Sequence, residues 1–147
     1  MILKILTNED PVLRKKSKEI GKISKRLRGL AADMLETMYS ANGVGLAAPQ
    51  VGVLERMVVI GVGEEPLVLF NPKITASEGE NRDVEGCLSL PGRNEYLTRA
   101  DQVTVICTNL DGKEEKIQGV GLLARVLQHE IDHLNGILFI DYPPKEK

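Results

Sequence analysis

The sequence predicts an α+β fold, with a helix near each end of the chain and strands between them. Three observations lead there. Apolar residues recur at helical spacing early in the chain and again near its end. The segment between them holds short β-rich runs, and an Asp-Gly pair joins the last two as a hairpin. Strands gathered in the middle with helices at the ends favour α+β over a doubly wound sheet.

The first helix is read from Leu27, Leu30, Ala31, Met34, Leu35 and Met38, whose spacing predicts an amphipathic helix over about 24–41 closed by Asn42-Gly43. Its Met and Leu stripe is core packing. Strands are expected at 57–62, 67–74 and 102–110, with Asp111-Gly112 turning the last into 113–118. The second helix runs over about 121–134 and stops at Asn135-Gly136. A short apolar run, 137–140, follows, and the chain breaks at Pro143-Pro144.

Size and composition set limits. With 147 residues the chain fits one domain, 1–147, able to bury a single core. Hydrophobic residues make up 42%, yet there is no Trp and only two Phe, so Leu, Val, Ile and Ala must build that core. A net charge of −2 offers no electrostatic reason to expect nucleic-acid binding. The basic residues between Arg14 and Arg28 are interrupted by acidic and apolar positions and read as a solvated face. No segment is long enough to span a membrane, and 1–11 lacks an apolar run of signal-peptide length. Two cysteines make no disulfide framework, so a reducing cytoplasm is the expected compartment.

The second helix carries the chemistry. Gln128-His129-Glu130-Ile131-Asp132-His133 contains H-E-x-x-H, and its two histidines are the only ones in the chain. Residues four apart on a helix differ by about 40° around the axis and one turn along it, so both imidazoles can reach one divalent ion. Glu130 then stands beside them to activate a water. Leu122, Leu123, Val126, Leu127, Ile131 and Leu134 cover most of the helix, leaving Ala124 and Gln128 as the expected water face. Two histidines and a glutamate in such a setting would be costly to bury without partners, which favours a metal site over a structural pair.

A third ligand must come from upstream. The residues after His133 include one glutamate, Glu146, in a charged tail, and no third histidine. Cys107 sits in a strand-like run, where a buried inert thiol is the default. Cys87 lies in Glu85-Gly86-Cys87-Leu88-Ser89-Leu90-Pro91-Gly92, rich in turn formers, and is the favoured ligand of the two. A thiolate with two imidazoles suits Fe(II), Zn(II), Co(II) or Ni(II) and leaves a fourth position for water. Two readings compete with hydrolysis of one particular amide. One is another metal-dependent amidase or peptidase of the H-E-x-x-H type. The other is a metal-stabilised domain without activity, against which the intact Glu130 speaks.

Three blocks together resemble the peptide deformylase family: Gly43-Val44-Gly45-Leu46-Ala47-Ala48-Pro49-Gln50, Glu85-Gly86-Cys87-Leu88-Ser89 and His129-Glu130-Ile131-Asp132-His133. The resemblance spans nearly the whole chain. It implies mostly antiparallel β-sheets packed around a central C-terminal metal-binding helix, with an N-terminal amphipathic helix. It further implies removal of the formyl group from the N-terminal formyl-methionine of newly made polypeptides, with release of formate. Cys87, His129 and His133 would hold the metal, with Fe(II) in the cell and Zn(II), Ni(II) or Co(II) in preparations. Glu130 would take a proton from the attacking water and pass it to the leaving amine, while the Gln50 amide and the Leu88 backbone N–H stabilise the oxyanion. The partners implied are formyl-methionyl nascent chains, with transient ribosome association compatible. The chain stops soon after Pro143-Pro144, so docking through the long C-terminal helix of some members is not expected.

The physics of these blocks agrees. A glutamine amide donates hydrogen bonds without a charge, as an oxyanion site beside a cation needs. Gly43 and Gly45 allow an extended substrate to approach as an added strand. Leu122 and Val126 precede His129 on its own helix face and, with Val44, are expected to line a pocket for the methionine side chain. A ligating histidine usually donates its second N–H to an acceptor; Glu85 is the expected one, with Arg99 and Asp132 as an ion pair behind it.

Overall fold

The apolar stripe of the first helix finds its partner in a sheet. The computed structural model describes residues 1–8, 10–63 and 65–142, so that Pro143-Pro144 and Glu146 lie outside the described residues. In it the stripe belongs to α1 (Lys25–Ser40), capped where Ser24 Oγ accepts the Leu27 N–H at 3.2 Å. Strands β1 (Gly45–Ala47), β2 (Met57–Ile60) and β3 (Leu67–Glu78) follow, then a hairpin of β4 (Asn81–Cys87) and β5 (Leu90–Arg99). Next come β6 (Gln102–Thr108), β7 (Glu114–Val120) and α2 (Leu122–Leu134). Five strands make one antiparallel sheet in the order β1-β2-β3-β6-β7, and β4 and β5 make a second of their own.

Strand β2 shows how the layers assemble. Its four residues are all buried, because side chains alternate between faces and both faces are covered. Met57 and Val59 join Leu27, Ala31 and Met34 of α1, while Val58 and Ile60 join Leu127 and Leu134 of α2. The two helices therefore clasp opposite faces of the sheet. Each large side chain so removed from water contributes about 1.5–3 kcal/mol before its lost freedom is counted. No helix among the described residues is long and apolar enough to cross a membrane.

Three strands, β1, β4 and β5, were not read from the sequence. β1 is too short to show a period, and β4 and β5 bear mostly exposed polar residues, so backbone pairing rather than burial defines them. β3 runs on past residue 74 to Glu78 because β6 pairs with it there. The apolar run 137–140 becomes a 3-10 turn, Phe139–Asp141, that packs Leu138 and Phe139 against Leu90 and Leu97 of the hairpin. A further correction concerns α2. Ala124, expected in water, is fully buried, and Gln128 is half-buried, exchanging hydrogen bonds with the Ala100 backbone at 3.1 and 2.9 Å. The exposed residue of this helix is Leu122, at its first turn.

Candidate metal centre

Helix α2 presents His129, Glu130 and His133, all buried, to the end of the β4–β5 hairpin. Cys87 is the last residue of β4, not part of an irregular loop; it pairs with Leu90 across the tight turn Leu88-Ser89. Its Sγ lies 3.3 Å from His133 Nε2, and the donor atoms of Cys87, His129 and His133 all fall within 4.8 Å of one another. Among the described residues this is the one group of three such side chains so placed. Metal–ligand bonds of about 2.0–2.3 Å at near-tetrahedral angles put donor atoms roughly 3.3–3.6 Å apart, so the sulfur and the imidazole stand at a fitting separation. Cys107 faces the core between sheet and α2, where burial pushes its thiol up to about 11.

The imidazole of His129 is oriented from behind. Its Nδ1 lies 2.5 Å from Glu85 Oε2, leaving Nε2 for an ion. Burial disfavours charge on both rings, yet contacts with Cys87 and Glu85 lift His129 to about 10, whereas burial and the neighbouring His129 push His133 well below its ordinary value. A sulfur and two imidazole nitrogens within 4.8 Å of one another are the donors that a divalent ion such as Zn(II) or Fe(II) takes, so the donor chemistry fits.

Glu85 is itself gripped. Arg99 reaches its two oxygens with Nε and Nη2 at 2.8 and 2.7 Å, and Arg99 Nη1 meets Asp132 at 3.0 Å. Burial works against the Glu85 charge, but Arg99 and His129 outweigh it and hold the carboxyl well below the usual carboxylate range. The Tyr142 hydroxyl donates to Asp132 at 2.6 Å. The expected trio of Glu85, Arg99 and Asp132 is thus brought together. Two further participants were not read from the sequence: Arg125, whose Nη1 donates to Glu85 Oε1 at 2.9 Å, and Ser89. Arg125 stands one turn before His129, a spacing that could have singled it out.

Strand β1 and the short turn after it supply the opposite wall. Gln50, buried, accepts the Ala47 N–H at 2.9 Å, which fixes its amide; Nε2 donates to Ser89 Oγ at 3.0 Å and faces Cys87 Sγ at 3.7 Å. A cavity of 340 Å³ brings Gly43, Val44, Gly45 and Leu88 together with Leu122 and Val126, and reaches Cys87, His129 and Glu130. Glu130 Oε1 is buried without a hydrogen-bond partner, and burial pushes its carboxyl up to about 7. At Gly45 a Cβ would sit 2.6 Å from Glu130 Oε2 and 2.8 Å from Val126 Cγ1. Gly45→Ala must therefore displace the carboxylate, and kcat/KM is expected to fall about 10-fold to 100-fold with the melting temperature little changed. Steady-state kinetics beside thermal unfolding checks this.

A sequence model of the polypeptide deformylase family matches residues 2–147. The chain belongs to this family. The peptide deformylase of Alkaliphilus metalliredigens is 56% identical to it over 142 residues, 97% of either chain. Crystal structures of deformylases from Legionella pneumophila and Thermotoga maritima, 49% and 41% identical, share its fold with a TM-score of 0.93 each. Each match covers 96% of this chain, and 85% and 97% respectively of the other. Deformylases are metal-dependent hydrolases acting on the N-termini of polypeptides, and this enzyme has in Cys87, His129 and His133 a group that could hold the ion.

Proposed function

We propose that this deformylase removes the formyl group from N-terminal formyl-methionine as one catalytic domain, residues 1–147, with Cys87, His129 and His133 holding one divalent ion. The supporting observation is that Cys87, His129, the unpartnered buried carboxylate of Glu130 and the oriented Gln50 amide line one cavity, with His133 Nε2 3.3 Å from the Cys87 sulfur. Fe(II) is the reading for the cell; Zn(II), Ni(II) and Co(II) suit the same donors. When bound, the ion would act as a Lewis acid toward the water and the formyl oxygen.

The chain's own groups account for the rest. Glu130 takes the proton of the attacking water and passes it to the departing amine nitrogen. The Gln50 amide and the Leu88 backbone N–H donate to the oxyanion as it forms. β1 is the edge strand of its sheet, so the Gly43–Gly45 stretch can pair with an extended substrate backbone, while Val44, Leu122 and Val126 take the methionine side chain. Glu85 accepts from His129 and fixes its tautomer, braced by Arg99 and Asp132. A formyl carbon carries only hydrogen, so a tight site admits it and rejects acetyl by clash. The reading places the enzyme in the cytoplasm, meeting nascent chains in transient association with the ribosome and without nucleic-acid readout.

The test is formate release from a formyl-Met tripeptide by the metal-loaded protein, with the acetyl-Met tripeptide and unblocked peptides as controls. Formate from the first alone is expected. Cleavage of internal bonds, or no formate with metal bound, would refute the assignment.

A further inference from the structure

A buried arginine beside the cavity has no part in the chemistry so far. Arg125 is 7% exposed and lies on α2 one turn before His129. Its Nη1 donates to Glu85 Oε1 at 2.9 Å. Its Nη2 donates to the Asn81 carbonyl at 2.7 Å and to the Leu97 carbonyl at 3.1 Å, and lies 3.2 Å from Asn81 Oδ1. One guanidinium therefore joins α2, which carries both histidines, to both strands of the hairpin that carries Cys87. With it in place, Glu85 receives four N–H groups: two from Arg99, one from Arg125 and one from His129. Those fill a carboxylate's acceptor sites and leave it one orientation.

We propose that Arg125 is a positioning residue of the metal centre, locking Glu85 and the β4–β5 hairpin to α2 so that Cys87 and His129 meet in one geometry. A cavity wall alone could be built from leucine or isoleucine. Taking a guanidinium out of water is costly and gives little net stability, so its burial here calls for another role. Arginine is the residue whose planar fork can serve a carboxylate and two carbonyls at once; lysine offers a single point charge. Arg99, Arg125, Glu85 and Asp132 together balance in charge, so removing one member unsettles the orientation of the others.

The inference rests on the metal set proposed above, and the experiment separates the two. Full-length wild type, Arg125→Met and Arg125→Lys are compared by chelator competition for Zn(II), by the visible spectrum with Co(II), and by kcat and KM. For Arg125→Met, Zn(II) binding about 10-fold weaker or more is expected, with altered Co(II) bands. A lower kcat at a KM within about twofold should accompany it. Arg125→Lys keeps a charge against Glu85 but cannot span both strands, and should fall between. Unchanged Zn(II) affinity and Co(II) bands overturn the inference, whether KM rises (a pocket wall only) or the melting temperature drops (a fold contact only). If Arg125→Met does not fold, Arg125→Lys decides alone, and wild-type affinity and spectrum in it overturn the inference. A wild type that binds no ion in the same assay overturns the metal reading as well.

Discussion

Glu130→Gln is expected to keep the fold and the metal while losing about 10³-fold in kcat. The carboxylate is 4% exposed, with one oxygen unpartnered and the other confined beside Gly45. Glutamine matches its shape but cannot accept the proton of the attacking water. Because burial already disfavours the charge of Glu130, the neutral variant should unfold no more easily than wild type. Kinetics, metal content and thermal unfolding on one preparation check all three. A variant with near-wild-type kcat would remove Glu130 from the chemistry. The same carboxyl sets a pH limit. Only its ionised form accepts a proton, so kcat/KM must fall as pH drops through its pKa. Burial lifts that value to about 7, and a cation beside it draws it down. The acidic limb of the metal-loaded enzyme is therefore expected below pH 7, and a limb rising toward lower pH would contradict the role.

Cys87→Ala should weaken metal retention and lower formate release together. Where three or four ligands share about 10–16 kcal/mol of binding, each contributes about 3 kcal/mol, so losing the sulfur weakens the ion by about 10²-fold. The side chain stands half-buried at a strand end, and its removal leaves the sheet and both helices intact. Metal content after gel filtration and the near-ultraviolet sulfur-to-Co(II) band report the loss directly. Cys107→Ala is the control: it removes a buried core thiol at a cost of about 1 kcal/mol and should keep metal and activity. Were Cys107→Ala instead to release the ion, the ligand set would be wrong.

Much of this architecture follows from local spacing. The i, i+4 histidines with Glu130 between them share a helix face whatever surrounds them, and the apolar stripe of α1 needs only a 3.6-residue period to be seen. The strands β2, β3, β6 and β7 were legible because a covered strand must alternate or be apolar throughout, and Asp111-Gly112 marks its turn by backbone preference. The three sequence blocks carried the family for a similar reason: each is a short run whose chemistry lies in adjacent residues.

Other features depend on elements distant in sequence. Which cysteine stands near the histidines is decided by the β4–β5 hairpin, whose polar strands show no period because pairing, not burial, holds them. Ala124 and Gln128 read as the water face on a helical projection, and Arg125 shares the His129 face with no partner in view; the hairpin and the Ala100 backbone make Arg125 and Gln128 interior by offering carboxylate and carbonyl partners. The closeness of Gly45 to Glu130 likewise arises only where the edge strand meets α2. Spacing along one helix places groups on a face, since its geometry is the same everywhere. Contacts between elements are set by packing and by hydrogen-bond partners that lie far apart in the chain, and those appear only once the sheet has formed.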